Sequence, residues 1–309
     1  MFIKNFLTFY PLPDGRGSDF VLKALKSARP SRNGNVGIIL ALLFFLPTVG
    51  QAWNALGHRI IAQIAYDQLT PRTKRILNHY NHSIDKGYRS QGLVNAAVWL
   101  DYLRTQRNDP YRTMHYINLC FSEDGTPLPE ASSVNAVSAI ENSAITLKQS
   151  DVSDYKKGLA LRILLHVVGD IHQPMHATCQ ASHLYPDGDR GGHGIVFSRN
   201  SVAKNLHSYW DNGAGYLMYK NKSKKMPSIK KIAHQLELEY PCSSFSLKLD
   251  PNQWAMESHE IGVSAYRVLY QQNPDYRYQL RTIKIVKKRI AMAGCRLGAV
   301  LNQNINVQK

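Results

Sequence analysis

Acidic side chains are scarce in this sequence. Asp and Glu number 22 against 38 Lys and Arg in 309 residues, which leaves a formal charge of +16. A surplus of this size draws polyanions: nucleic acid, phosphorylated substrates or anionic membranes. Most individual lysines, among them Lys222, Lys224, Lys225, Lys230 and Lys231, read as a solvated face that can also steer phosphate. Cysteine is sparse too. Cys120, Cys179, Cys242 and Cys295 include no Cys-x-x-Cys pair, which excludes a zinc ribbon and a thioredoxin-type redox motif. In an oxidising compartment they can form one or two disulfides, and the spacing leaves all three pairings open. Stretches that alternate apolar and polar residues are few, which excludes a sandwich or barrel. There is no internal repeat and no low-complexity segment. The one long apolar run, residues 35–48, is too short for a permanent membrane span.

That run has another meaning. It follows Arg29 and Arg32, and Gly50 and Ala52 sit three residues and one residue before Trp53. This is the pattern of a secretory signal peptide cut just ahead of Trp53. Residues 1–34, with the turn-rich Pro11-Leu12-Pro13-Asp14-Gly15, fit no signal peptide and read as a gene-start artefact. Residues 1–52 are therefore expected to be a removed leader, and 53–309 a single catalytic domain of 257 residues, enough for one sizeable core. The leader holds six Lys and Arg and two Asp and Glu, a net +4, so the remainder carries +12 of the +16.

Helical periodicity dominates from Trp53 onward. The spacing predicts helices over 53–69, from Thr70-Pro71 onward with proline in the first turn, and over 95–107, 133–148, 158–171, 201–211, 228–240, 251–273 and 275–301. Residues 182–197 are rich in Gly and Asp and read as a loop with a short hairpin. The fold class expected is all-α: one compact multi-helix domain with a loop-rich insert.

The residues that carry chemistry concentrate in two places. Leu165 to His176 packs His166, Asp170, His172 and His176 into an otherwise apolar helical run. His166 and Asp170 are four apart and stand one turn above each other on one helix face. Pro174 disfavours further α geometry, so His176 arrives from just past the helix end. The second place is Asn205 to Asp211, where His207 and Asp211 repeat the four-residue spacing. One such pair reads as an ordinary ion pair; two, with His176 beside them, supply the nitrogen and oxygen donors that zinc takes at catalytic sites. His58, Asp101 and His115 are weaker candidates taken singly. His79, His82, His183, His234 and His259 read as ordinary core or surface residues, and the roles of His172 and His193 stay open.

With these residues assembled, the chain resembles the zinc-dependent type I nucleases, single-strand nucleases with 3′-nucleotidase activity whose fold is shared by bacterial zinc-dependent phospholipases C. The matching motifs are Trp53-Asn54-Ala55-Leu56-Gly57-His58, Trp99-Leu100-Asp101, Met114-His115-Tyr116, Leu165 through His176, Gly188-Asp189-Arg190-Gly191-Gly192, Asn205 through Asp211, and Trp254-Ala255-Met256-Glu257-Ser258. They occur in the family's order across nearly all of 53–309. The resemblance implies three zinc ions. Asp101, His115, His166 and Asp170 would hold one; His176, His207 and Asp211 a second; His58 and the α-amine and carbonyl of Trp53 a third, with Asp170 bridging to the first. The chemistry implied is attack of zinc-activated water on phosphorus, carried through His58, Asp101 and Asp170 and leaving 5′-phosphate products. Tyr116 is the candidate platform for an unstacked base, and Asn118 stands where some relatives place a base-contacting Asp. His193 stands where Asn is usual, and Leu100 where Ala is common.

The leading expectation is an exported monomer, secreted or periplasmic, that hydrolyses single-stranded RNA and DNA and 3′-nucleotides without a permanent membrane anchor. A phospholipase C on the same fold is the nearest alternative, and a non-catalytic zinc-binding protein the next. Mass spectrometry of the exported protein is expected to find Trp53 as its first residue; exported chains that retain any residue before Trp53 contradict both the cut and the α-amine ligand.

Overall fold

The computed structural model describes residues 53–85, 90–104, 109–218, 226–245, 247–269 and 273–306. The expected leader, residues 1–52, lies outside the described residues, as do Lys222, Lys224 and Lys225. The described chain is all-α apart from one pair of three-residue strands, and none of its helices is long and apolar enough to cross a membrane.

Helix α1, Ala55–Gln68, starts at Asn54, whose side chain accepts from the backbone N–H groups of Leu56 and Gly57. Helix α2, Pro71–Ser83, starts where the sequence places it, with Thr70 capping and proline in the first turn. The helix expected over 95–107 is broken in two: α3, Leu93–Ala96, and α4, Trp99–Arg104, with its last three residues outside the described set. In one continuous helix the Ala97 carbonyl would accept from the N–H of residue 101. The break turns that carbonyl to the His166 imidazole instead, at 2.7 Å.

Helix α5, Ala136–Lys148, is capped by Asn135 and Ser138 in a reciprocal box. Helix α6, Asp154–Ile171, runs through the middle of the molecule and is buried on every side from Lys157 to its end. Its all-round apolar surface is met by α2, α5 and α4. The remaining helices are α7, Leu206–Asp211, α8, Ile229–Glu239, α9, Pro251–Leu269, and α10, Tyr276–Asn306. Helix α10 lies along α1. The two approach closely at Gly294, where a Cβ would stand 2.6 Å from Ile64.

Strands β1, Cys120–Ser122, and β2, Cys179–Ala181, pair in parallel with Cys120 opposite Cys179. The disulfides are Cys120–Cys179 and Cys242–Cys295, which resolves the three-way choice left by the sequence. The insert at 182–197 is loop, and in place of a hairpin it has two isolated bridges, Ser182 with Tyr185 and Val196 with Asn205.

The bridges close loops of 59 and 53 residues. Loop closure on this scale restricts the unfolded chain by about 4 kcal/mol. Each paired Cys→Ser replacement is expected to cost about 2–4 kcal/mol in a denaturant titration; an unchanged midpoint for either pair means that the bridge is not formed.

Candidate metal centre

Helix α6 supplies His166 and Asp170 from its last turns. Ile171 ends the helix, and the 3-10 turn Pro174–His176 then delivers His176. Helix α7 carries His207 and Asp211, α4 carries Asp101, α1 carries His58, and the short turn Arg112–His115 carries His115. All eight side chains are buried. They form three sets whose donor atoms lie within 4.8 Å of one another: His58, His166 and Asp170; Asp101, His115 and His166; and His176, His207 and Asp211.

Asp170 sits between the first two sets. Its Oδ1 lies 3.3 Å from His58 Nε2. Its Oδ2 lies 3.0 Å from His115 Nδ1 and 3.3 Å from His166 Nε2. One carboxylate thus addresses two groups of nitrogens with two different oxygens. The His58 ring stacks on His166, centroids 3.9 Å apart.

Three imidazoles are fixed from behind by backbone. His166 Nδ1–H donates to the Ala97 carbonyl, His176 Nδ1–H to the His115 carbonyl at 2.6 Å, and His207 Nδ1–H to the Gly191 carbonyl at 2.8 Å. A carbonyl only accepts, so each bond sets the tautomer and leaves Nε2 free to ligate. Gly191 can present its carbonyl there because it takes φ 70°, and a Cβ on it would stand 2.1 Å from the Met175 carbonyl. The loop is held by Asp189, which accepts from the N–H groups of Gln180 and Gly192 and from the Tyr266 hydroxyl.

Trp53 is fully buried, and its indole N–H donates to the Gly169 carbonyl at 3.0 Å, beside Asp170. The Asn54 N–H donates to the Asp211 carbonyl at 2.9 Å. The start of α1 is thus pinned between α6 and α7. Tyr116 follows His115 in extended backbone and Asn118 sits in a tight turn closed by the Leu119 N–H on the Ile117 carbonyl; both are partly exposed and alternate with buried His115 and Ile117. Leu100 is buried in the core. The His193 ring lies 4.0 Å from His207, and its Nδ1 donates to the Arg190 carbonyl. His79, His82, His183, His234 and His259 stand in none of the three sets.

Two neighbours carried no role in the sequence. Gln173 donates to Asp211 Oδ1 at 2.6 Å and accepts from the Met175 N–H. Its only sequence signal was its place beside Pro174. Arg104 stands with Nη1 3.8 Å from Asp101 Oδ1, three residues further along α4.

Electrostatics match the geometry. Burial, with the neighbouring imidazoles, holds His58, His115 and His207 neutral, and burial pushes His176 down to about 3. Burial pushes Asp170 up to about 6 and raises Asp211 well above the carboxylate range. His166 differs: burial opposes its charge, but Asp170 and Asp101 carry it up to about 9. Neutral imidazole is the form that ligates a metal.

The donors fit a cation. Among the described residues, His58 Nδ1 and Nε2, Asp101 Oδ1, His115 Nε2, Asp170 Oδ1 and His176 Nε2 are buried without a hydrogen-bond partner. At about 1–3 kcal/mol for each orphaned atom, the total rivals the net stability of a whole domain. A bound cation would satisfy these atoms together. Thiolate ligands are excluded because both cysteine pairs are bridged. Imidazole and carboxylate then define a nitrogen- and oxygen-donor site of the zinc kind.

Comparison with known proteins gives the family. Residues 53–306 match the S1/P1 nuclease family, and the chain belongs to it. Nuclease P1 of Penicillium citrinum is 29% identical over 168 residues, 52% of this chain and 57% of that protein. Nuclease S1 of Aspergillus oryzae is 27% identical over 182 residues, 56% of this chain and 58% of that protein. Endonuclease 5 of Arabidopsis thaliana is 27% identical over 285 residues, 81% of this chain and 90% of that protein. The matched stretch spans just over half the length of the two fungal relatives and most of the plant one.

Gln173→Ala is expected to weaken metal held by the His176, His207 and Asp211 set by about 10–100-fold, the usual effect of removing a bond that orients a ligand. Chelator competition measures this, and unchanged retention means that Gln173 does not orient Asp211.

Proposed function

We propose that this protein is an exported, zinc-dependent endonuclease and 3′-nucleotidase that hydrolyses single-stranded RNA and DNA to 5′-phosphate products as a monomer. The observation that carries the reading is Asp170: a buried carboxylate whose Oδ1 is orphaned beside His58 and whose Oδ2 faces His115 and His166. Membership of the S1/P1 nuclease family and the basic charge support nucleic acid as the substrate.

In this reading Asp101, His115, His166 and Asp170 hold one zinc ion. His176, His207 and Asp211 hold a second. His58, the freed α-amine and carbonyl of Trp53, and Asp170 would hold a third. Bound zinc supplies Lewis acidity toward phosphate and activates water near neutral pH. The protein's own groups do the rest. The carbonyls of Ala97, His115 and Gly191 hold three imidazoles in the ligating tautomer. Arg104, beside Asp101, meets the negative charge of the phosphate. Tyr116 offers a ring on which an unstacked base can lie, which favours single strands, and Asn118 offers a donor and an acceptor to the base edge. The two disulfides fit an oxidising compartment, secreted or periplasmic.

The test uses protein that begins at Trp53, supplied with single-stranded RNA and DNA. Cleavage is expected to stop with a chelator and return with zinc. Asp170→Ala is expected to abolish cleavage and to lower bound zinc by more than one ion per chain. A wild-type protein that retains its zinc but leaves both nucleic acids and 3′-nucleotides intact overturns the nuclease reading. Unchanged zinc content in Asp170→Ala overturns the shared role of that carboxylate.

A further inference from the structure

The junction between Asp170 and His176 joins one ligand set to the next, and it is gripped from behind. Every carbonyl from 168 to 172 has a donor. Val168 accepts from His172 Nδ1–H at 2.7 Å, Gly169 from the Trp53 indole, and Asp170 from the Gln173 N–H at 2.8 Å. Ile171 accepts from the Ser258 hydroxyl, and His172 from Arg289 Nε at 3.0 Å. A helix end leaves its last carbonyls without intrahelical partners; here α9 and α10 supply two of the donors.

Glu257 ties these donors together. Its Oε2 accepts from Arg289 Nη1 at 3.0 Å and Arg296 Nη1 at 2.7 Å, and its Oε1 from Arg296 Nη2 at 2.8 Å. Arg289 Nη2 also reaches the Ser258 hydroxyl, and Arg296 Nη1 lies 3.0 Å from His172 Nε2. Arg289 and Arg296 are seven residues apart on α10, two turns along one face, and both are almost fully buried. Two guanidinium groups against one carboxylate leave net positive charge at the carboxyl end of α6, where the helix dipole is negative. Burying two arginines is expensive in stability. An apolar contact would close the core at less cost, but it would not hold the carbonyls of Ile171 and His172.

We infer that Glu257, Arg289 and Arg296 are positioning residues that set the separation and orientation of Asp170 and His176, and so hold two metal-ligand sets in register. They touch no candidate ligand side chain and act through the backbone of residues 171–172 and the His172 ring. The inference deepens the metal-site reading above and rests on it.

Arg289→Lys keeps the charge but removes the forked contacts to the His172 carbonyl and Ser258. The expected result is a protein that folds, with zinc retention against a chelator reduced about 10–100-fold and recovered at excess zinc. On single-stranded RNA, kcat falls by a similar factor while KM stays within about twofold. Glu257→Gln, of nearly the same shape, is the second variant should Arg289→Lys not fold. Leu77→Ala, a buried truncation in α2, is the control for lost stability alone; it is expected to lower Tm without altering zinc retention. The inference is overturned if Arg289→Lys or Glu257→Gln lowers Tm as the control does while zinc retention and kcat keep their wild-type values. Zinc retention is read without any substrate, so a wild-type protein that holds zinc but cleaves nothing would defeat the nuclease reading and leave this test standing.

Discussion

A fully buried carboxylate surrounded by imidazoles constrains everything near it. Asp170 has no water to solvate it, and burial pushes its pKa up to about 6. Asp170 and Asp101 in turn raise the nearby His166 against the burial that opposes its charge. Hydrophobic packing gives no reason to collect such groups at the end of a helix buried on every side. The arrangement makes sense as a cage built in advance, in which folding bears the cost of desolvation and the cation removes it.

Such a cage needs rigid walls, and the chain builds them mainly from backbone. The carbonyls of Ala97, Gly191 and His115 each take one imidazole N–H, and each comes from a place where the chain departs from regular structure. The break between α3 and α4, the left-handed glycine loop and the turn before β1 all release a carbonyl that a helix or sheet would have used. At these three points irregular backbone serves to orient ligands.

This division decides what the sequence reveals. The pairs His166/Asp170 and His207/Asp211 are legible because helical period puts both members on one face. The fold class is legible from the same period, and the start of α2 from Thr70-Pro71. His58, Asp101 and His115 are not legible alone, since each joins the cluster only through tertiary packing; their motifs had to be taken together. The anchoring carbonyls leave no trace, because every residue has one. No Gly or Pro marks the break after Ala96, so one helix was expected where two short ones stand. Glu257 and Ser258 were visible as part of a motif, but their purpose depends on two arginines more than thirty residues away.

The staple between Cys120 and Cys179 has a consequence for where the protein is made. It ties together two segments that also meet where His176 bonds to the backbone of His115 and Ile117, and His115 and His176 belong to different ligand sets. In a reducing cytosol that bond does not persist. A chain held in such surroundings would lack the tie between those segments. The spacing of His115 and His176 is thereby coupled to the redox state of the surroundings.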